Sequence, residues 1–229
     1  MMFKLWPWLE ANKNRLIVGV GAVVVVVAIY NFVTWRHGQN EITAGQALTQ
    51  LETTSATATT PEQSAAAFAK LADDYSGTMA AQRAQLQSGS AFFNVGRYAD
   101  AQTQFQKALA SSSGALAATA ALGVASSLEA QGKLDDAATA YRKVTSQYAD
   151  SASAVVAKFA LGRIAEQQNK FTEAMSIYQE IARNNLAGSM ASEAALRAME
   201  IKSKLPAASA PAAMPAVVKP ATPTIPVTK

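Results

Sequence analysis

Three stretches of this chain repeat one another, and that repetition limits the possible fold more than any other feature. Gly96-Arg97-Tyr98-Ala99-Asp100-Ala101 leads on to Phe105 and Ala108. Gly132-Lys133-Leu134-Asp135-Asp136-Ala137 leads on to Tyr141 and Val144, and Asn169-Lys170-Phe171-Thr172-Glu173-Ala174 to Tyr178 and Ile181. The alanines at 101, 137 and 174 stand 36 and 37 residues apart. Gly and Asn tolerate the left-handed conformation that ends many helices. An acid near the next helix start suits the positive end of its dipole. Seven residues before each turn is a small residue, Gly89, Ala125 or Gly162. The expected unit is a helix pair in which these small residues face the alanines, while the aromatic at 105, 141 or 178 fills the space toward the next unit. One such hairpin cannot bury its apolar face alone, so the units must stack.

At these residues the chain resembles the tetratricopeptide repeat family. Leu161-Gly162 and Ala174 fit its pattern best, whereas Ser88 and Val124 stand where a leucine is typical. The proline that usually starts the next helix is absent, with Ser113, Ala149 and Leu186 nearby instead. The period exceeds the usual value of about 34, so longer turns between repeats are expected. A degenerate repeat comes first: Phe68, Leu71 and Tyr75 match Tyr141, Val144 and Tyr148 in spacing. Pro61-Glu62 would start its second helix, with Pro at or near the first helical position. Its first helix would run from about Asn40 to Glu52, and Thr53–Thr60 would be a polar loop. Residues 188–205 read as a closing helix with Ala191, Ala195, Leu196 and Met199 apolar and Lys202 and Lys204 at its C-terminal end. The expected class is therefore all-α: a tetratricopeptide-repeat-like solenoid of helical hairpins over residues 38–205.

Upstream lies a different signal. Leu16 to Trp35 is twenty residues without a charged side chain, bounded by Arg15 and Arg36. A helix rises about 1.5 Å per residue, so roughly 20 residues cross a ~30 Å hydrocarbon core. Residues 16–35 are expected to be a single transmembrane helix in contact with membrane lipid. The run is longer than the apolar part of a signal peptide and lacks a small-x-small cleavage site. Lys4, Lys13 and Arg15 precede it, against Glu10, so residues 1–15 should stay in the cytoplasm and the C-terminal part should be exported. Trp6, Trp8, Tyr30 and Trp35 are placed as interfacial anchors. At the other end, residues 206–229 hold six of the eight prolines and are expected to be a disordered, extended tail.

The sequence pI of 9.3 resembles a nucleic-acid signal and is not one. Residues 38–205 hold 14 Lys/Arg and 15 Asp/Glu; the excess base sits before residue 38 and after residue 205. Nothing supports a basic groove for phosphates. There is no cysteine, and the only histidine, His37, is at the edge of the apolar run. Catalytic and zinc constellations lack members, and Asp73-Asp74 and Asp135-Asp136 lack the second cluster of a calcium loop. No catalytic, metal or cofactor residue is assigned, and no small-molecule substrate is expected. A stacked-helix surface without chemistry binds protein or peptide. On the first helices, Gln82, Gln85, Lys158 and Arg163 are the candidate partner-binding residues on the face away from the small-residue seam. Whether they would meet an unfolded substrate or a fixed partner is open.

A short basic N-terminus, one span and an immediate helical repeat domain resemble the YfgM-like family, the ancillary subunit of the bacterial SecYEG translocon. The most telling stretch is Ala65–Ala110, where AAAFAKLADDYSG leads into GRYADAQTQFQKAL. That resemblance implies an inner-membrane protein with a periplasmic domain beside the translocon, working with periplasmic chaperones such as a PpiD-like prolyl isomerase. The proline-rich tail departs from the compact end such a protein would have. The alternative is an envelope scaffold of the CpoB or BamD kind; the absence of a lipidation cysteine and a cleavage site weighs against it.

Overall fold

The computed structural model describes residues 5–58, 60–184 and 187–204, with side chains from 22 to 55 and through the two later ranges. The expected tail, 206–229, lies outside the described residues. The expected cytoplasmic segment and Leu16–Gly21 of the apolar run lie outside those with described side chains. Among the described residues the elements are helices: α1 (Leu5–Ala58), α2 (Pro61–Asp74), α3 (Met79–Asn94), α4 (Tyr98–Ser111), α5 (Gly114–Ala130), α6 (Leu134–Gln147), α7 (Ala152–Gln167), α8 (Phe171–Ala182) and α9 (Ser189–Lys204). The chain forms two compact units, Met1–Leu161 and Gly162–Lys229, with the boundary inside α7.

The hairpin turns follow the repeat. Gly96, Gly132 and Asn169 have φ of +80°, +76° and +58°. In each turn two backbone bonds close the preceding helix. Arg97 N–H donates to Phe92 O (2.9 Å) and Gly96 N–H to Phe93 O (3.0 Å). The same pair recurs as Lys133 to Leu128 (3.0 Å) with Gly132 to Glu129 (2.8 Å), and as Lys170 to Ala165 (2.8 Å) with Asn169 to Glu166 (2.9 Å). These bonds satisfy carbonyls that a helix end leaves unpaired. Asn169 is the one non-glycine described with positive φ, and its short polar side chain makes that tolerable. Each turn also places an acid three residues into the next helix: Asp100, Asp136 or Glu173.

The degenerate first repeat obeys the same rules. Pro61 stands at the first position of α2, after Thr60, whose Oγ1 accepts from Gln63 N–H and whose own N–H donates to Gln63 Oε1, both at 3.3 Å, in a capping box. Phe68 and Leu71 are buried, and Tyr75 closes α2 as Tyr148 closes α6. Thr78 and Ser151 then form matching caps, each donating to the tyrosine carbonyl (2.8 and 2.7 Å) and accepting from the N–H three residues on.

In the first unit α1 runs beside α2 and α3. Ala44, Leu48, Phe68, Leu71, Ala72, Ala80, Ala81 and Ala84 form one core cluster, and Ala65, Phe92, Ala101 and Phe105 another. Burying a leucine or phenylalanine stabilises by about 1.5–3 kcal/mol, so this junction holds α1 firmly. Ser88, which takes a leucine's place, is fully buried and donates to Ala65 O at 2.8 Å, bridging α3 to α2.

Two expectations need correction. Thr53–Thr60 is not a loop throughout, because α1 continues to Ala58. Thr53 and Thr54 donate to the carbonyls of Thr49 and Gln50 (both 2.9 Å), which satisfies the hydroxyls inside a helix. In α9 the buried residues are Ala194, Ala198 and Ile201, while Leu196 and Met199 are 67% and 68% exposed. The apolar stripe read from sequence is thus rotated from the stripe that packs.

Among the described residues, no helix is long and apolar enough to cross a membrane. The described side chains of the apolar run begin at Ala22. Its large side chains are all exposed, Val23 to Val27 at 51–65%, Phe32 at 58% and Trp35 at 63%.

Candidate protein-binding surface

In the first and third hairpins the seam is built by an aromatic resting on a glycine. A Cβ on Gly89 would meet the Phe105 ring at 2.8 Å, and one on Gly162 would meet the Tyr178 ring at 2.8 Å. The glycine therefore receives the aromatic of its own hairpin, rather than the alanine expected opposite it. The aromatic also reaches onward: a Cβ on Gly123, in the next first helix, would lie 2.5 Å from the Phe105 ring. Phe105 is wedged between two first helices, and a side chain on either glycine would push them apart.

Below that shared geometry the chemistry divides. Tyr141 donates its hydroxyl to Glu129 (2.7 Å), with Ser126 at 3.1 Å. Tyr178 donates to Glu166 at 2.6 Å. Both tyrosines are 1% exposed, and in each pair the glutamate stands twelve residues earlier. In the first of the three repeats both positions are phenylalanine, Phe93 and Phe105. A buried hydroxyl needs a partner, and a ring without one does not. Burial, and then the Glu166 hydrogen bond, hold the Tyr178 hydroxyl well above the ordinary tyrosine range; the charges of Arg197 and Arg163 oppose this only weakly. Sequence reading missed these pairs, although the repeat of Glu and Tyr at one spacing carried the signal.

The sequence-predicted binding residues fall into two groups. Gln82 and Gln85 come together on the end of α4. Gln82 Nε2 donates to Ser111 O (2.9 Å), and Ser111 Oγ donates to Gln85 Oε1 (3.1 Å). They join α3 to its own partner helix, so their polar groups are already engaged. Lys158 and Arg163 both lie on α7, the first half-buried and the second exposed. The open face of α3 instead carries Arg83, Ser90 and Asn94, all exposed and at helical spacing. On the same face Gln87 Nε2 donates to Glu52 of α1.

The first helix is fixed to this face from a second point. Both carboxylate oxygens of Glu41 accept from the Met79 N–H, at 3.0 and 3.1 Å. That N–H belongs to the first turn of α3, where a negative charge is favourable. Glu41 and Glu52 therefore tie α1 to α3 at two points. The exposed face of α3 thus carries guanidinium, hydroxyl and amide groups. Among the described residues no group of three His, Asp or Glu side chains is placed to hold a metal ion.

Helical hairpins, left-handed turns at a 36–37-residue period and stacked aromatic seams define a helical-repeat scaffold, a class that presents its surface to other proteins. The chain belongs to the tetratricopeptide repeat-like domain family, whose profile matches residues 7–139. A tetratricopeptide repeat profile matches residues 125–186. No curated protein matches the chain. Among solved structures, the crystal structure of BtubC (BKLC) from P. vanneervenii is similar at 14% identity, over 76% of this chain and 77% of that one, with a TM-score of 0.38.

Proposed function

We propose that this protein is a membrane-anchored interaction scaffold of the bacterial inner membrane, with its N-terminus in the cytoplasm and its repeat domain in the periplasm. Its role is that of an ancillary subunit linking a SecYEG-like translocon to periplasmic chaperones, including a PpiD-like one. The observation that carries the reading is α1. Its valine-rich stretch is exposed on every side, yet the same helix packs into the repeat core a few residues later. Lipid is the solvent in which such an exposed face costs nothing. Arg15 and the lysines before it favour the orientation. The family match also begins at residue 7, so it includes the apolar run.

Photo-crosslinking from the apolar run in intact membranes tests the partner. Translocon subunits are the expected products. Recovery of only peptidoglycan-associated or outer-membrane assembly proteins would overturn the translocon role and favour an envelope scaffold of the CpoB or BamD kind.

A further inference from the structure

The α3–α4 hairpin gives a rule for what covers a first helix. In α3, Gln85, Gly89 and Phe92 face α4: Gln85 bonds to Ser111, Gly89 carries the Phe105 ring, and Phe92 clusters with Ala101 and Phe105. The repeat register extends to the last helix. Ala84, Ala120, Ala157 and Ala194 are each fully buried and stand 36, 37 and 37 residues apart. In that register α9 is the first helix of a fourth hairpin, and Gln85, Gly89 and Phe92 correspond to Ala195, Met199 and Lys202. No helix among the described residues covers this face of α9. It is one wall of a cleft of about 250 Å³, with Ala182 and Arg183 from the α8 side on the other.

Two features of the cleft choose its occupant. The position that is Gly, Ala and Gly in the complete hairpins is Met199 here, 68% exposed. Gly89 and Gly162 have no room for a Cβ beside their aromatic and Ala125 adds only a methyl group, so a helix with an aromatic at that level would collide with the much longer Met199. Lys202 corresponds to Phe92, which clusters with Ala101 in the first turn of α4. Each covering helix carries an acid in that first turn. Among the described residues neither Lys202 nor Arg183 forms an ion pair.

We infer that α9 is an open half-hairpin that is completed by a helix from a partner protein. That helix is amphipathic, has an acidic first turn lying beside Lys202, and carries a small residue against Met199 where the chain's own helices carry an aromatic. This surface does not depend on the membrane or translocon reading.

The test uses the full chain in lipid nanodiscs, with empty nanodiscs as background, and two fluorescently labelled peptides read by anisotropy. One peptide has the sequence of Leu134–Gln147; the other is the same with Tyr141→Ala. The alanine peptide should bind saturably and at least tenfold more tightly than the tyrosine peptide. Met199→Gly should reverse that preference, and Lys202→Glu should weaken the alanine peptide at least fivefold. Circular dichroism checks that both variants fold. No saturable binding, or equal binding of both peptides to the native chain and to Met199→Gly, would overturn the proposal. So would binding that appears only after truncation at Leu205, which would assign the cleft to the chain's own tail. Concentration-dependent self-association that blocks the peptide would assign it to a second copy, with the same consequence.

Discussion

Along one helix, α1, the chain treats apolar side chains in two opposite ways. From Ala22 to Trp35 they point outward on all sides, with Val23, Val26 and Trp35 all more than 60% exposed. From Ala44 to Leu48 they are buried against Phe68, Leu71 and Ala84. The helix itself is continuous, so propensity does not distinguish the halves. The pattern does: the first half has only Asn31 and Thr34 as polar breaks, both donating back to carbonyls of their own helix, while the second is apolar on one stripe and carries Glu41, Thr49 and Gln50 elsewhere. A one-sided stripe is made to pack on protein, and an all-round apolar surface is made for a medium that surrounds it.

Substitutions that separate the halves test this. Val25→Arg together with Val26→Arg should have the largest effect. Two charges at the centre of a membrane helix cost about 5–7 kcal/mol on the insertion scale. If the run is the proposed membrane anchor, the protein should leave the carbonate-washed membrane fraction, and the melting of the repeat domain should not change. Loss of repeat stability instead would mean that the valine half also packs on protein. Leu48→Ala should do the reverse, destabilising the repeat domain by about 2–4 kcal/mol in denaturant titration while leaving membrane extraction unaltered.

Farther from α1 the expected effects are smaller. Tyr178→Phe leaves Glu166 without its donor and should cost about 1–3 kcal/mol near neutral pH. Because the Tyr178 hydroxyl titrates above its ordinary value of 10.0 in the folded state, its contribution is fully present below about pH 10 and is lost as pH rises through the raised value. The native protein should lose its advantage over Tyr178→Phe only in that alkaline range. A gap already closed at neutral pH would contradict the pairing. Glu41→Gln should be mildest, under about 1 kcal/mol, since it removes only the charge at an exposed helix start. Its diagnostic is faster hydrogen exchange at the Met79 amide with exchange at Asn169 unchanged.

Much of this fold was legible in the residues. Gly96, Gly132 and Asn169 announced left-handed turns, and Pro61 announced the start of α2, because local backbone demands restrict which residues can stand there. The apolar spacing of Phe68, Leu71 and Tyr75 placed a degenerate repeat correctly. Contacts made between helices were harder to read. Ser111 takes up Gln82 and Gln85 from 29 and 26 residues away, and nothing in α3 alone points to it. Thr53 and Thr54 look like loop formers until their hydroxyls turn back onto the helix. In α9, Ala195 and Met199 are as apolar as Ala194 and Ala198, so hydropathy could not say which stripe is buried. Packing decides that, and among the described residues only one side of α9 is packed.

The difference between the halves of α1 has its most direct test in topology. A reporter fused after Lys229 should be active only outside the cytoplasm, as expected if the valine half spans the membrane and carries the repeat domain across. Activity in the cytoplasm would contradict the account, whatever partner the repeats bind.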